Sequence, residues 1–406
     1  MKDLKGWQMP LTKSNKSLLL SLCSVLLFPA FLNAQNNQND QILSEDRLNL
    51  FEYSKEQNKE NSSKLKKDWI NPINLSYSKS YGDIYDSVKS SVTINQPIFK
   101  SGGIYSAIKY ANATYKYNNF DIEIQKKELI KNVTTILFNL HIIDLNISKN
   151  EILLKNAKID ITRKKEQVLN GFLDTSFLDN SILEANKIKN AIADLLFQKE
   201  ELNNNFSNLA SGEYKSFNLP KLKITNKKTF LDENIELKKV KSDIEQKDYF
   251  KDITVAKYLP TISVNGSHTQ YHERKDNLPS NTNVYSYGIS VSMPLDVRTF
   301  NDIETQKIEY LKAKIDLKNK ILEEENFYNT KIANIKMLNR KKNIAKEDYE
   351  LYTSLLEIIV EEKEAELKTQ SDVDTLSNSQ RIKSIELKIY DLQEQIELLD
   401  LYSKII

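Results

Sequence analysis

The sequence predicts a mainly α-helical chain with a membrane-sized β portion, in which one unit of two strands, a long helix and a return helix is written twice. Three observations predict it. Alternating apolar and polar residues mark two β-hairpins, at 73–96 and 261–293. A long stretch with helical apolar spacing follows each hairpin. Pro97 and Pro294 close the two hairpins 197 residues apart, so the long helix kept its length on duplication.

The predicted order begins with a signal peptide at 1–34. The first repeat, 35–210, holds an N-terminal helix, the hairpin 73–96 and a helical hairpin 104–210. A linker at 211–231 leads to the second repeat, 232–406, with its helix, hairpin 261–293 and helical hairpin 299–406. In the signal, Lys13 and Lys16 precede an apolar run from Leu18 to Leu32, and Ala34 offers a small residue before polar sequence. Ser21, Ser24 and Pro29 interrupt that run, against a permanent transmembrane helix. Lipidation of the sole cysteine, Cys23, is the alternative to removal, but Leu22 is a poor residue before a lipidated cysteine. Cleavage near Ala34 leaves a mature chain without cysteine, as suits an oxidising compartment.

In the first strand Ile73, Leu75, Tyr77 and Tyr81 alternate with Asn74, Ser76, Ser78 and Ser80. The next strand sets Val88, Val92 and Ile94 against Lys89, Ser91, Thr93 and Asn95. The second copy repeats the pattern with Ile262 and Val264, then Tyr285, Tyr287, Ile289, Val291 and Met293. Strands of about ten residues cross an outer membrane at a tilt. A soluble sheet with one buried face has the same alternation. The membrane reading is favoured by Tyr77, Tyr81, Tyr85, Tyr271, Tyr285 and Tyr287, which cluster at strand ends and loops as an interfacial girdle. No other segment supplies an apolar face to cover the sheet. Every backbone polar group inside a bilayer must be paired, and four strands are fewer than the roughly eight of the smallest membrane barrels. Several protomers must therefore share one barrel.

Between Ile104 and Asn170 there is neither proline nor glycine, and Leu129, Val133, Ile136, Leu140, Ile143, Ile147, Leu154, Ile161 and Val168 form a seam. Such a helix is roughly 100 Å long. The second runs from Phe300 to Ala365, and its seam is broken by Glu324, Lys331 and Lys342, which predicts looser or partly wet packing there. Rise per residue predicts that the helices at 180–210 and 233–258 stack to match the first long helix, and that 372–406 plus 43–67 match the second. The chain ends then meet at mid-height, with 211–231 as an irregular belt. A helical column on a hollow barrel is a duct; a stalk needs a solid centre.

Composition excludes several classes. The chain has 58 basic and 56 acidic residues, which argues against a nucleic-acid partner. Its 8 Gly and 8 Pro are too few for a loop-rich enzyme. His141, His268 and His272 have no metal-ligand spacing on one helix face, and phosphate loop and nucleophile elbow are both missing. No catalytic residue, metal or cofactor is expected.

Three motifs carry a family resemblance: Asn95-Gln96-Pro97-Ile98-Phe99 with Gly102-Gly103, Tyr258-Leu259-Pro260-Thr261-Ile262-Ser263, and Val291-Ser292-Met293-Pro294-Leu295. In this order and spacing the chain resembles the TolC-like outer-membrane efflux family over nearly all its mature length. The resemblance implies a homotrimer whose twelve strands form one barrel in outer-membrane lipid, continued by an α-helical barrel through the periplasm. It implies export of substrates received from an inner-membrane transporter and a periplasmic adaptor, in multidrug or metal efflux or type I secretion. It also implies a narrow periplasmic entrance at the second helical turn, for which Asp372, Asp374 and Lys368 are the candidates. Glu366 replaces the family's glycine there, and Thr375 stands where a further acid is expected. Gly171, Asp174 and Asp179 are the candidates at the first turn, with Phe177 where an aspartate is often found. The plainer reading of Asp372 and Asp374 is a helix cap and first-turn acids. Rival readings of the whole chain are a periplasmic coiled-coil adaptor without a pore and an adhesin stalk.

Overall fold

The structure, a computed structural model, describes residues 42–81, 86–274 and 282–405. The predicted signal at 1–34, Cys23 and Tyr85 lie outside the described residues. In chain order the elements are α1 (Glu45–Lys67), β1 (Asn74–Ser80), β2 (Ser87–Phe99), α2 (Gly103–Leu169), α3 (Thr175–Ser207), a 3-10 turn (Tyr214–Ser216), α4 (Lys227–Asp232), α5 (Ile235–Lys257), β3 (Thr261–Arg274), β4 (Asn283–Ser292), α6 (Thr299–Glu364) and α7 (Gln370–Tyr402). The lengths recur between the halves. α1, α2 and α3 have 23, 67 and 33 residues, and α5, α6 and α7 have 23, 66 and 33.

The strands form one antiparallel sheet in the order β1-β2-β3-β4. Pairing of β2 with β3 welds the halves together. Among the described residues, β1 and β4 each leave one edge unpaired. At the base of the sheet the motif residues have identifiable work. Gln96 accepts from the Asn71 amide at 2.9 Å and donates to the Trp69 carbonyl at 3.1 Å, which pins the entry to β1 against β2. Ser101 and Gly102 turn the chain at φ 45° and 87°, and the Ser101 hydroxyl donates to the Pro260 carbonyl at 2.7 Å. A Cβ on Gly103 would lie 2.8 Å from the Ala256 Cβ, so glycine lets α2 approach α5 closely.

Below the sheet α2 and α6 run unbroken, and the shorter helices stack end to end beside them. The partners differ from the expected ones. Leu43 bridges Ala210, and the Ser44 amide donates to the Leu209 carbonyl at 3.0 Å, so α3 is continued by α1. Asn234 bridges Ile405, and the Ile235 amide donates to the Lys404 carbonyl at 2.9 Å, so α7 is continued by α5. The reason is the linker, which is long enough to step sideways and dock on a neighbouring helix instead of running straight up from α3 to α5.

Two apolar clusters seal these joints. Leu43, Val133, Leu137, Leu140, Phe206 and Tyr214 pack at the first, and Phe230, Tyr328 and Leu401 at the second. Tyr214 pins the belt to α2 by donating to Asp144 at 2.8 Å, and Lys199 pairs with the other oxygen of that carboxylate at 2.8 Å. Burial alone would raise the Asp144 pKa, but these two bonds hold it below the ordinary value.

The expected wet interruption at Glu324 is also corrected. Glu324 is 1% exposed and accepts from Lys404 at 2.7 Å and from the Asn234 side chain at 2.9 Å. The acid fastens the second joint instead of loosening the seam. Lys331 is answered by Glu397 at 2.9 Å and by Asp400, and Lys342 by Asp391, so this part of the seam is ionic.

Candidate functional site

Register sorts the sheet into two faces. Leu75, Val92, His268 and Tyr285 lie opposite one another across four strands, and Ile94, Gly266 and Tyr287 form the next row. Ile262 with Val291 and Val264 with Ile289 continue this face toward the helices. From Ile262 to His268 it rises by roughly 20 Å, close to the height of an outer-membrane apolar band. It is uncovered: Leu75 is 77% exposed, Tyr287 92% and Ile289 74%. Tyr77, Tyr285 and Tyr287 stand exposed on it, and Tyr81 is exposed just beyond the end of β1. His268 stacks on Tyr285 with ring centroids 4.6 Å apart, which screens the imidazole at the centre of the face.

The opposite face is made of small polar residues. It carries Asn74, Ser76, Ser78 and Ser80 on β1, and Ser87, Lys89, Ser91, Thr93 and Asn95 on β2. Ser263, Asn265, Ser267 and Thr269 on β3 meet Ser290, Gly288, Ser286 and, as the one aliphatic exception, Val284 on β4. Tyr271, expected among the membrane-interface aromatics, pairs with Lys89 and belongs to this polar face. Alternation puts it on the side of Thr269 and away from His268.

At the far end of the column the two helix turns share one backbone design. The Phe172 amide donates to the Gln167 carbonyl at 2.8 Å and the Gly171 amide to that of Val168 at 3.0 Å. The Leu367 amide donates to Glu362 at 2.8 Å and the Glu366 amide to Lys363 at 3.0 Å. Both are Schellman ends, with Gly171 at φ 74° and Glu366 at φ 60°. Glu366 thus occupies the left-handed position without the freedom of glycine.

Asp174 caps α3 by accepting from the Ser176 amide at 2.8 Å, and its bonds to Ser176 hold its pKa below the ordinary value. Asp179 is exposed in the second turn of α3. Asp372 closes a capping box with Thr369 at the start of α7. Its Oδ2 accepts from the Thr369 amide at 3.0 Å, and its Oδ1 accepts from Arg163 of α2 at 2.8 Å. The Thr369 bonds first, and then the charges of Arg163 and Lys368, keep its pKa below the usual carboxylate range. Asp374 accepts from Gln370 at 2.8 Å and shares a shallow cleft with Lys155, Lys158 and Arg381. Lys368 makes no ion pair among the described residues.

The structure thus places Asp372 in the first turn of α7 and Asp374 two residues further on, turned toward a different set of partners, and it adds Arg163, which sequence reasoning missed. The available signal was that Arg163 is the one arginine in an otherwise lysine-rich α2.

No family model matches the sequence, and no curated protein matches it by sequence. Solved structures do match in fold. The outer-membrane channel CmeC of Campylobacter jejuni superposes with a TM-score of 0.71 at 14% identity, covering 90% of this chain and 84% of that one. The outer-membrane protein VceC of Vibrio cholerae gives 0.69 at 12% identity, covering 88% and 92%. The MtrE outer-membrane channel of Neisseria gonorrhoeae gives 0.69 at 14%, covering 90% and 86%. The fold is that of the TolC-like outer-membrane factors.

Proposed function

We propose that three copies of this chain close into one outer-membrane channel-tunnel, a twelve-stranded barrel continued by a helical barrel into the periplasm. It exports substrates received from an inner-membrane transporter and a periplasmic adaptor. The observation that carries this reading is the four-stranded sheet itself, with its uncovered apolar face and two bare edges. In lipid such a sheet must find strands on both sides, because an unpaired backbone group there costs several kcal/mol, roughly as it does in hydrocarbon.

The helical column supports the same closure. Half-exposed Ile308, Ile315, Leu322, Met337, Ile344, Leu351 and Ile358 form a near-heptad stripe on α6, the helix that follows the β4 edge. On the β1 side, Leu50 and Tyr53 of α1 and Leu183 and Phe197 of α3 are exposed along the stacked strut. Each protomer therefore offers two different apolar edges, the requirement for a head-to-tail ring.

The wall chemistry fits a conduit, with apolar side chains toward lipid and hydroxyls toward the lumen. In this reading Asp372, Asp374 and Lys368 lie at the periplasmic entrance, and the capping bonds of Asp372 fix its charge in place. Drugs, metals and secreted proteins are the candidate cargoes, and copurification of transporter and adaptor with the intact trimer distinguishes them.

The deciding experiment is purification of the processed chain in detergent, followed by heat-modifiable gel migration and planar-bilayer recording. A heat-sensitive trimer that conducts is expected. A water-soluble monomer that leaves bilayers silent overturns the reading and favours the poreless adaptor.

A further inference from the structure

Among the described side chains of the polar sheet face, Lys89 carries the only charge. It lies in β2, opposite Ser78 on one side and Tyr271 on the other, and makes no ion pair among the described residues. The nearest acid on β3, Glu273, lies past a bulge that leaves His272 unpaired, so it pairs with Val88 and belongs to the opposite face. Arg274 is paired in register with Ser87 at the end of the strand. Lys89 stands two residues from the loop end of β2, far from the helices.

We propose that Lys89, repeated threefold, forms a cationic ring just inside the outer mouth that engages carboxylate or phosphate groups on passing cargo and makes this end of the duct prefer anions. The inference rests on the trimeric-duct reading. A barrel of twelve tilted strands spaced about 4.8 Å apart has a radius of roughly 12 Å. The four-carbon stem of lysine then carries each ammonium to within about one Debye length of the axis, roughly 10 Å at 0.1 M salt. The hydroxyls and amides around it neither cancel the charge nor fill the lumen. A ring of like charge facing a water-filled passage is the arrangement that selects ions by sign in channels.

The test is the reversal potential of single channels in planar bilayers under a potassium chloride gradient. Lys89→Ser is expected to lower the chloride-to-potassium permeability ratio by about threefold, and Lys89→Glu to lower it further, with both effects shrinking near 1 M salt. Lys89→Cys, made in the otherwise cysteine-free processed chain, is measured in one preparation before and after a 2-aminoethyl thiosulfonate reagent. Restored charge should restore the unaltered ratio, and this comparison does not depend on how well the variant folds. Conducting channels whose ratio is the same in all variants, and unmoved by the reagent, overturn the ring alone. Silence from the unaltered chain overturns the duct, and the ring with it.

Discussion

Arg163 of α2 donates to Asp372 of α7 at 2.8 Å, joining the two helical hairpins close to their tips. If the carboxylate acts as an entrance charge, the two partners have opposite effects. Asp372→Ala should weaken block by divalent cations and raise conductance, whereas Arg163→Ala should unmask the acid and strengthen block. Shifts of roughly two- to fivefold in blocking concentration are expected at low salt. The folded pKa of Asp372 is depressed, so its contribution is complete above the unfolded value and lost as pH falls through the folded one. Wild-type block should hold from neutral pH to about 5 and fade only below about 4. Unchanged conductance and block in both variants would remove the entrance role.

Glu324 is buried between Lys404 and Asn234. Glu324→Ala leaves that ammonium and that amide without their acceptor, and should cost about 2–4 kcal/mol. Glu323→Ala, at an exposed neighbour, should change stability by less than about 0.5 kcal/mol. Denaturant unfolding of the detergent-solubilised protein compares them, and equal midpoints would refute the buried node.

Tyr214→Phe removes the belt's bond to Asp144 and should cost about 1–2 kcal/mol, read as faster proteolysis within 211–226. Lys199 and Tyr214 outweigh burial in setting the pKa of this carboxylate, which is net depressed. The pin is therefore fully present at neutral pH and loosens on acidification below about 4. Loosening on the alkaline side of neutrality would contradict this account.

Ile289 and Ser290 are sequence neighbours on opposite faces. Ile289→Arg places a charge toward lipid and should cost about 2–4 kcal/mol near mid-membrane, seen as loss of heat-modifiable trimer. Ser290→Arg should assemble normally and change only conductance. The reverse pattern would mean that the faces are exchanged.

The long helices were legible because nothing between Ile104 and Asn170 breaks a helix, and the strands because serine alternates with aliphatic or aromatic residues. The capping box was visible as Thr369 followed three residues later by Asp372. The stacking of α3 on α1 was not legible, since it depends on a backbone bridge from Leu43 to Ala210 that any side chain allows. Glu324 looked like a flaw in an apolar seam because the partners that bury it lie 80 and 90 residues away, with only Lys320 close in sequence. Glu366 was readable as a departure from glycine, but its left-handed backbone is imposed by the Schellman bonds and carries no signature of its own.

Among the described residues only α2 and α6 pass the belt without interruption, while their companions meet there end to end, joined by one backbone bridge each and by the apolar clusters. In the proposed trimer a torque on the hairpin ends is therefore carried upward by two continuous rods per subunit, and the jointed struts follow only through their packed side chains.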